Sequence, residues 1–448
     1  MKLFGTDGIR GTANEYPITP ELALKIGRAI PRILQAKTPG QSKVLIAKDT
    51  RLSGSMLESA LLSGLLSEGA EVLTTGPAPT PAAAFLTTAH QCDAGIMLTA
   101  SHNPFEDNGI KIFGADGFKL NDELEAELEE LLLGDSLNGP RPDSPVGFIT
   151  PITDATESYL AFAKKSLADL TLDGLKVVVD CAHGAGYLAG PRIFQELGAE
   201  VFSIGIDPDG RNINEGVGSL HPEKAAEAVI KHGADLGVCL DGDGDRLAVI
   251  DATGQIVDGD KLLCLCALAL QRRGTLQKNT LVATVMSNLG LKEALAKNGM
   301  ELEVTGVGDR LVLERMRQKG YCLGGENSGH IIFSDYATTG DGIMGALQIL
   351  AEMKTTGQTL AQLADCMEVF PQKLINLAVS DKPPLEEIPG LTALIQEAET
   401  AMGESGRVLI RYSGTEKKIR VMVEAREEAT MNRWVNQLVS LVQKEIGA

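Results

Sequence analysis

Three aspartates alternate with glycines at the most informative point of this sequence, where Asp241, Asp243 and Asp245 occupy every second position. Alternate residues of an extended segment face the same way, so the three carboxylates can converge on one point. Carboxylate oxygens suit a hard divalent cation such as Mg²⁺ or Ca²⁺. The apolar run 236–240 before them predicts a buried strand. That strand would deliver the carboxylates to the C-terminal edge of a sheet, where ligands of open α/β sheets bind.

Two other interpretations compete with a metal site. A calcium-binding EF-hand loop needs glycine at its sixth position and glutamate at its twelfth, whereas this sequence has Arg246 and Ala252 there. A solvated acidic turn is the second alternative, and the apolar run before the aspartates argues against it. Three carboxylates leave Mg²⁺ short of ligands, and Mg²⁺ commonly completes its shell with water and phosphate oxygens. A phosphate group should therefore be sought elsewhere in the chain.

Ser101 is a candidate to carry that phosphate. It follows the apolar run 95–98 and precedes His102, and a serine at the end of a strand can be a nucleophile. The Gly-x-Ser-x-Gly elbow of one large hydrolase class does not occur in the sequence. A phosphoryl-carrying serine fits better, since it would supply the oxygen ligands that the aspartates lack. The alternatives are a turn hydroxyl for Ser101 and a structural role for His102.

Two further loops have the composition of sugar-phosphate sites. Residues 411–415, with Arg420 on the next strand, combine two guanidinium groups, two hydroxyls and a glycine whose backbone N–H can approach an anion. This composition predicts a phosphate clamp, against the alternative of a hairpin with surface arginines. Glu326 and Ser328 stand two positions apart between glycines, and they can hydrogen-bond two adjacent sugar hydroxyls.

A glycine pattern favours a different class of protein. Gly184-x-Gly186-x-x-Ala189, with Asp207 after the next strand, resembles a dinucleotide-binding fingerprint and would suit an NAD-dependent oxidoreductase. The pattern is weak, because three residues separate its first glycine from the preceding strand. The sequence contains no Gly-Lys pair, which excludes a Walker-type nucleotide loop.

An internal triplication predicts how these loops are positioned. Three segments share the order strand, helix, strand, with first strands near 43–47, 176–179 and 280–284. Each predicts a βαβ unit with parallel strands, followed by a further strand that ends in one of the polar loops. The fold class is therefore α/β, with three similar mixed α/β domains and a smaller C-terminal α+β domain. We expect domain boundaries at 1–150, 151–253, 254–370 and 371–448.

Composition limits the partners and the compartment. A formal net charge of -19 argues against nucleic acid as the main partner. The longest apolar stretch is too short to span a bilayer and the N-terminus lacks the pattern of a signal peptide, so we expect a cytoplasmic protein without membrane association. Seven scattered cysteines fit reduced, buried thiols.

Taken together, these motifs resemble those of the α-D-phosphohexomutases, and within that family the members that act on glucosamine phosphates. The resemblance covers almost the whole chain. Its motifs occur in the family's order and comprise residues 4–11, the serine loop 99–104 continuing through 108–111, the aspartate loop 241–246, the loop 325–330 and the loop 411–416.

The resemblance implies an isomerase that interconverts glucosamine 6-phosphate and glucosamine 1-phosphate through a phosphoserine and a glucosamine 1,6-bisphosphate intermediate, on the route to UDP-N-acetylglucosamine and cell-wall precursors. It also implies one Mg²⁺ per site and suggests a homodimer. Alternatives are a phosphoglucomutase or phosphomannomutase of the same family and a non-catalytic sugar-phosphate-binding protein.

The resemblance assigns roles to residues as well. Ser101 would be the phosphoserine and would share the Mg²⁺ with Asp241, Asp243 and Asp245. Near the transferring phosphoryl group we expect Arg10, Lys111 and Arg246, with Lys111 or His102 moving the hydroxyl proton. The residues expected to bind the substrate are Glu326, Ser328, His330, Arg411, Ser413, Gly414, Thr415 and Arg420.

Overall fold

The structure is a computed structural model, and it describes residues 3–5, 7–37, 39–413 and 417–448. Contacts between residues divide the chain into two compact units. One consists of Met1–Met286 with Leu302–Asp365, and the other of Ser287–Glu301 with Cys366–Ala448.

The first repeat forms a six-stranded sheet in the order β1-β5-β4-β2-β3-β6. Strands β3 and β4 both run parallel to β2, whereas β5 returns antiparallel to β4. An apolar core built from buried residues of the strands and of the two long helices α1 and α2 stabilises this layer. Its elements are β1 (Ile9–Thr12), α1 (Pro20–Lys37), β2 (Lys43–Lys48), α2 (Gly54–Ser67), β3 (Glu71–Pro77), α3 (Thr80–Ala89), β4 (Ala94–Leu98), β5 (Asp107–Gly114), α4 (Asp122–Leu133) and β6 (Phe148–Pro151).

The second repeat has the same plan in a five-stranded sheet, ordered β11-β10-β9-β7-β8. Strands β8 and β9 run parallel to β7, and β10 returns antiparallel to β9. Its elements are α5 (Ala155–Lys164), β7 (Lys176–Asp180), α6 (Ala189–Glu196), β8 (Glu200–Ile204), α7 (Glu223–His232), β9 (Leu236–Leu240), β10 (Leu247–Asp251) and β11 (Ile256–Val257).

The third repeat forms a four-stranded sheet, β13-β12-β14-β15, in which β14 is parallel to β12 and β15 is antiparallel to β14. Its elements are α8 (Gly259–Arg272), β12 (Thr280–Thr284), α9 (Leu289–Lys297), β13 (Glu301–Thr305), α10 (Asp309–Lys319), β14 (Leu323–Gly325), β15 (Ile331–Phe333), α11 (Gly342–Thr356) and α12 (Leu360–Ala364).

Helix α9 follows β12 and precedes β13, as predicted for the third βαβ unit, and its contacts group it with the residues of the second compact unit. The Asn288 side chain that caps α9 bonds to both backbone groups of Phe370, at 3.0 and 2.9 Å. A Cβ on Gly290 would lie only 1.7 Å from the Glu368 carbonyl oxygen, so the helix approaches that segment as closely as glycine allows.

The C-terminal unit contains an antiparallel three-stranded sheet, β16-β18-β17, covered by α13 and α14 around a core that includes Trp434. Its elements are β16 (Gln372–Ala378), α13 (Leu391–Met402), β17 (Gly406–Tyr412), β18 (Lys418–Ala425) and α14 (Glu428–Ile446). Short 3₁₀ turns lie at Lys165–Leu167, Ala185–Tyr187, Gln277–Asn279, Leu385–Glu387 and Gly403–Ser405.

The fold class is confirmed: three mixed α/β sheets precede a smaller antiparallel domain. The domain boundaries drawn from the sequence stay a prediction. Strands β4, β9 and β14 occupy the same place in their repeats, and each ends at one of the polar loops identified in the sequence. Across the described ranges, the helices include none with the length and apolar character needed to cross a membrane.

Candidate active site

Ser101 lies in the loop after β4 and contacts the aspartate loop of the second repeat. Its hydroxyl donates a hydrogen bond of 2.7 Å to Asp241 Oδ2, and its backbone N–H donates to Thr99 Oγ1 at 2.9 Å. The residue is buried and has a φ of 54°, in the left-handed region that a non-glycine residue rarely adopts. Such strain is typical of functional positions, and here the surrounding loops hold the serine against the aspartate.

Glycines allow these two loops to meet. A Cβ on Gly242 would lie 2.5 Å from the Ser101 carbonyl oxygen, and one on Gly184 would lie 2.3 Å from the Gly242 carbonyl oxygen. Gly186 packs in the same way, since its Cβ would lie 2.9 Å from a side-chain carbon of Leu240. The glycine pattern that resembled a dinucleotide fingerprint therefore has a packing role, as it lets the backbone of the second repeat support the aspartate loop.

Asp241, Asp243 and Asp245 lie together, as their spacing predicts. All three are buried, and their ligand oxygens lie within 4.8 Å of one another. Among the described residues, Asp243 Oδ1 and Asp245 Oδ1 have no hydrogen-bond partner; His330 Nδ1 lies 3.7 Å and Arg246 Nε 4.0 Å from Asp245 Oδ1. Buried carboxylate oxygens without partners are costly. The triad therefore fits a hard divalent cation, which would satisfy these oxygens.

A buried lysine offsets part of the negative charge of the triad. Lys111 Nζ lies 2.8 Å from Asp243 Oδ2, 3.3 Å from Asp245 Oδ2 and 3.1 Å from Asp7 Oδ2. Thr80 Oγ1 donates to the same oxygen of Asp243 at 2.6 Å. The Oδ2 atom of Asp243 is thus occupied by protein donors, whereas Oδ1 remains for a cation.

The chain of opposite charges continues into the third repeat. Lys119 pairs with Asp7 and lies 2.5 Å from Asp309 Oδ2. His330 lies between Asp309 and Asp245, with its Nε2 3.5 Å from Asp309 Oδ2 and accepting a hydrogen bond of 3.0 Å from the Gly340 N–H. Buried charges are tolerated when they are paired in this way.

These neighbours shift the pKa values in opposite directions. Burial, reinforced by Asp245 and Asp243, raises the pKa of Asp241 well above its usual value. Burial also opposes ionisation of Asp245, but Lys111 and His330 outweigh it and hold the pKa of Asp245 well below its usual range. Burial would likewise lower the pKa of Lys111, yet Asp243, Asp7 and Asp245 raise it, so Lys111 is charged.

His102 lies beside the serine hydroxyl, and the charges of Arg246 and Arg10 act on His102. The Nε atoms of Arg10 and Arg246 are buried and, in the part of the chain that the structure describes, have no hydrogen-bond partner. His102 Nδ1 lies 3.3 Å from Ser101 Oγ. Burial, followed by the charges of Arg246 and Arg10, lowers the pKa of His102 to about 4. A neutral imidazole therefore lies beside the nucleophile, and two arginines close enough to affect its charge have an unused Nε donor.

The loop after β14 contains the residues predicted to bind sugar hydroxyls. Glu326 is half-buried and accepts a hydrogen bond of 3.0 Å from the Gly308 N–H, and Ser328 is exposed in the same turn. His330, at the end of the same loop, is buried against Asp245 and Asp309. Its predicted role in substrate binding stays a prediction.

The described residues that the sequence predicts to form a phosphate clamp lie in the C-terminal unit. Arg411 and Arg420 face each other across β17 and β18, and burial together with the Arg420 charge lowers the pKa of Arg411. Like charges placed directly opposite each other are unfavourable, and an anion would relieve the repulsion. Ser413 is buried, and its carbonyl accepts a hydrogen bond of 2.6 Å from Lys382 Nζ. Gly414 and Thr415 lie outside the described residues.

Several residues of the site were missed by sequence reasoning. Asp7 had a signal, because it lies inside the opening motif 4–11. Arg51 also had one, since it follows a predicted strand as the polar loop residues do. The sequence contains no signal that separates Thr80, Lys119 and Asp309 from other polar residues.

Four family models match the chain in order. They are described as phosphoglucomutase/phosphomannomutase alpha/beta/alpha domain I (residues 1–138), domain II (157–254), domain III (258–370) and C-terminal domain (374–441). The fold and the serine–aspartate site thus define a phosphohexomutase.

Relatives make the family more specific. A phosphoglucosamine mutase from Citrifermentans bemidjiense is 50% identical over 448 residues, covering 100% of this chain and 98% of that protein. The chain belongs to the phosphoglucosamine mutase family, and it is an isomerase of the phosphomutase type.

Solved structures share the fold. A phosphoglucomutase/phosphomannomutase family protein from Burkholderia thailandensis has a TM-score of 0.81 at 24% identity, covering 99% of this chain and 97% of its own. An Aspergillus fumigatus N-acetylphosphoglucosamine mutase, solved with GlcNAc-6P and magnesium, has a TM-score of 0.70 at 18% identity, covering 100% and 96%.

Proposed function

We propose that this protein interconverts glucosamine 6-phosphate and glucosamine 1-phosphate, with Ser101 as the phosphoryl carrier. The observation that carries the proposal is the hydrogen bond of 2.7 Å between Ser101 Oγ and Asp241, at the edge of a buried carboxylate triad with unsatisfied oxygens. Glucosamine as the sugar is supported by the names of the relatives that are about half identical over the full chain.

The reaction would proceed in two transfers. Phosphorylated Ser101 gives its phosphoryl group to the free C1 hydroxyl of glucosamine 6-phosphate, so that the Ser101 O–P bond breaks and a new O–P bond forms at C1. The resulting 1,6-bisphosphate turns around and returns the phosphoryl group from C6 to Ser101. Phosphoryl transfer of this kind depends mainly on positioning and charge stabilisation, and the Nε donors of Arg10 and Arg246 are available for that purpose.

Asp241, Asp243, Asp245 and an oxygen of Ser101 would hold one Mg²⁺. When bound, the ion supplies Lewis-acid stabilisation of charge on the transferring group. Lys111 is charged and suits electrostatic stabilisation, whereas neutral His102, 3.3 Å from Ser101 Oγ, is able to accept the hydroxyl proton.

We assign the remaining roles by the same reasoning. Glu326 and Ser328 would bind sugar hydroxyls, and Arg411, Ser413, Gly414, Thr415 and Arg420 would hold the phosphate that does not react. Cytoplasmic location and a homodimer are further proposals.

The substrate is tested by kcat/KM for glucosamine 6-phosphate against glucose 6-phosphate and mannose 6-phosphate, with Mg²⁺ and a trace of the matching bisphosphate. We expect a preference for the amino sugar of about tenfold or more, equivalent to about 1.4 kcal/mol in the transition state. A preference for either neutral sugar would overturn the named substrate and favour a phosphoglucomutase or phosphomannomutase.

The carrier is tested by intact mass. The wild-type protein should carry one phosphoryl group that Ser101→Ala lacks, and Ser63→Ala, which removes an exposed helix hydroxyl, should retain it. A wild-type protein that is never phosphorylated and is inactive would instead indicate a non-catalytic sugar-phosphate-binding protein.

A further inference from the structure

Arg51 is a buried arginine that the proposed reaction does not use directly. It lies just after β2, and only 3% of its surface is exposed. Asp49 fixes its orientation, accepting 2.8 Å and 2.9 Å hydrogen bonds from the guanidinium Nε and the backbone N–H of Arg51. The remaining guanidinium donors therefore have a fixed direction.

Those donors all bind backbone carbonyls of the serine loop. Arg51 Nη2 donates to the carbonyl oxygens of Ser101 at 2.9 Å and Asn103 at 2.8 Å. Arg51 Nη1 donates to the carbonyl oxygens of Pro104 and of Asp107, the latter at 2.9 Å. One planar guanidinium group thus connects four carbonyls of residues 101–107.

Asn214, a residue of the second repeat, binds two of the same carbonyls through its side chain. Asn214 Nδ2 lies 3.0 Å from the Ser101 carbonyl oxygen and 3.0 Å from that of Asn103. The Ser101 carbonyl therefore accepts hydrogen bonds from two buried donors, and both bonds end on the residue whose φ is 54°. Charge-assisted hydrogen bonds in a buried setting are strong enough to hold a backbone in an unfavourable conformation.

We propose that Arg51 and Asn214 are positioning residues, which hold the Ser101 backbone in its left-handed conformation so that its hydroxyl stays against Asp241. This inference rests on the proposed function, because it concerns the geometry of the phosphoryl carrier. Both side chains bind the backbone carbonyls of Ser101 and Asn103 and not the Ser101 hydroxyl, so both act through the backbone.

The test compares Arg51→Lys and Asn214→Ala with Arg32→Lys. A lysine places three donors around one point and cannot span four carbonyls. Arg32 is the matched control, since its guanidinium binds the carbonyls of Ser136 and Gly139 and pairs with Glu68, away from the serine loop. The measurements are kcat, KM, the single-turnover rate of phosphoryl transfer and the thermal midpoint, all on the full-length protein.

We expect Arg51→Lys and Asn214→Ala to lower kcat and the transfer rate by about tenfold or more, with KM changed less than about twofold. Arg32→Lys should lower only the thermal midpoint. The inference is overturned if Arg51→Lys or Asn214→Ala loses stability but transfers phosphate at the wild-type rate well below its midpoint. If Arg51→Lys fails to fold, Asn214→Ala, which removes fewer bonds, decides the outcome.

The two proposals fail in different ways. If the wild-type protein never carries phosphate on Ser101, the proposed function is wrong. If the wild-type protein is phosphorylated and transfers normally, but both variants match it, only the positioning role is wrong.

Discussion

Replacing Gly242 by alanine should separate the serine and aspartate loops. The new Cβ would lie 2.5 Å from the Ser101 carbonyl oxygen, 2.8 Å from Asn214 Nδ2 and 2.9 Å from a methyl carbon of Ile213, all inside the 3.0 Å that real Cβ contacts keep. The nearest atom belongs to the backbone and cannot rotate away. The loops must therefore move apart by at least about half an ångström, and the hydrogen bond between Ser101 and Asp241 lengthens.

The size of the effect follows from that displacement. A misplacement of about 1 Å at a reacting group can cost about 100-fold in rate, so a smaller shift should lower kcat by about 10-fold to 100-fold. Overpacking of this kind also costs about 1–3 kcal/mol of stability. We therefore expect Gly242→Ala to lose both activity and thermal stability, with the rate loss persisting at temperatures where the variant is fully folded.

The assay is steady-state turnover beside thermal unfolding, with Gly139→Ala as the control. Among the residues that the structure describes, none beyond the two chain neighbours of Gly139 has an atom within 4 Å of a Cβ built there, so this variant should match the wild-type protein in both measurements. A Gly242→Ala protein with wild-type kcat and an unchanged midpoint would refute the argument that the two loops are in close contact.

Four further predictions concern other groups of the site and its surroundings. Because the pKa of His102 is lowered to about 4, the NMR signals of its imidazole should stay those of a neutral ring down to about pH 5. Titration of the ring near the ordinary value of about 6.5 would contradict the lowered pKa. His102→Gln should lower kcat by about 100-fold. Asp243→Asn should weaken Mn²⁺ binding, followed by electron paramagnetic resonance, by about tenfold or more, and an unchanged affinity would count against the metal site. Arg420→Gln should raise KM for the sugar phosphate by about 10-fold to 100-fold without loss of stability, since it removes one of two facing cations, whereas an unchanged KM would exclude Arg420 from phosphate binding. Burial raises the pKa of Asp341 to about 6, so the folded protein holds this proton to higher pH than the unfolded chain does. The resulting loss of folding stability is absent below about pH 4 and reaches about 3 kcal/mol above pH 6. The stability of the wild-type protein relative to Asp341→Asn should therefore fall between pH 4 and pH 6, and a difference that does not change with pH would contradict this.

The repeat pattern explains why much of the site was accessible from the sequence. The apolar run before Asp241 is strand β9, and the one before Ser101 is strand β4. Each pairs in parallel with the first strand of its βαβ unit, β7 and β2 respectively. Because ligands of open α/β sheets bind at the C-terminal ends of the strands, the order of apolar and polar residues placed both loops at such an edge.

Other features depend on pairings that leave no local trace. Arg51 reaches carbonyls about fifty residues away, and the partners of Asn214 are more than a hundred residues away. His330 follows a glycine-rich turn that suggests a ligand, but its burial against Asp245 depends on how two repeats pack. Periodicity correctly placed α9 between β12 and β13, but the capping bond of Asn288 to Phe370 joins residues 82 positions apart and leaves no pattern in the sequence.

The roles of Gly184 and Gly186 were ambiguous in the sequence for a different reason. Glycine is required both where a loop binds a phosphate and where two backbones touch, so the sequence leaves both interpretations open. The distance of 2.3 Å between a Cβ on Gly184 and the Gly242 carbonyl oxygen decides for packing.

The most direct test of the central claim is a single-turnover experiment. Protein phosphorylated on Ser101 is mixed with excess glucosamine 6-phosphate and Mg²⁺, and the phosphoserine and the sugar bisphosphate are quantified over time by mass spectrometry. The account predicts that the phosphoryl group leaves Ser101 as the bisphosphate forms in equal amount, and that Ser101→Ala neither carries the group nor turns over. Full turnover by Ser101→Ala, or bisphosphate formation while the phosphoserine stays intact, would contradict the account.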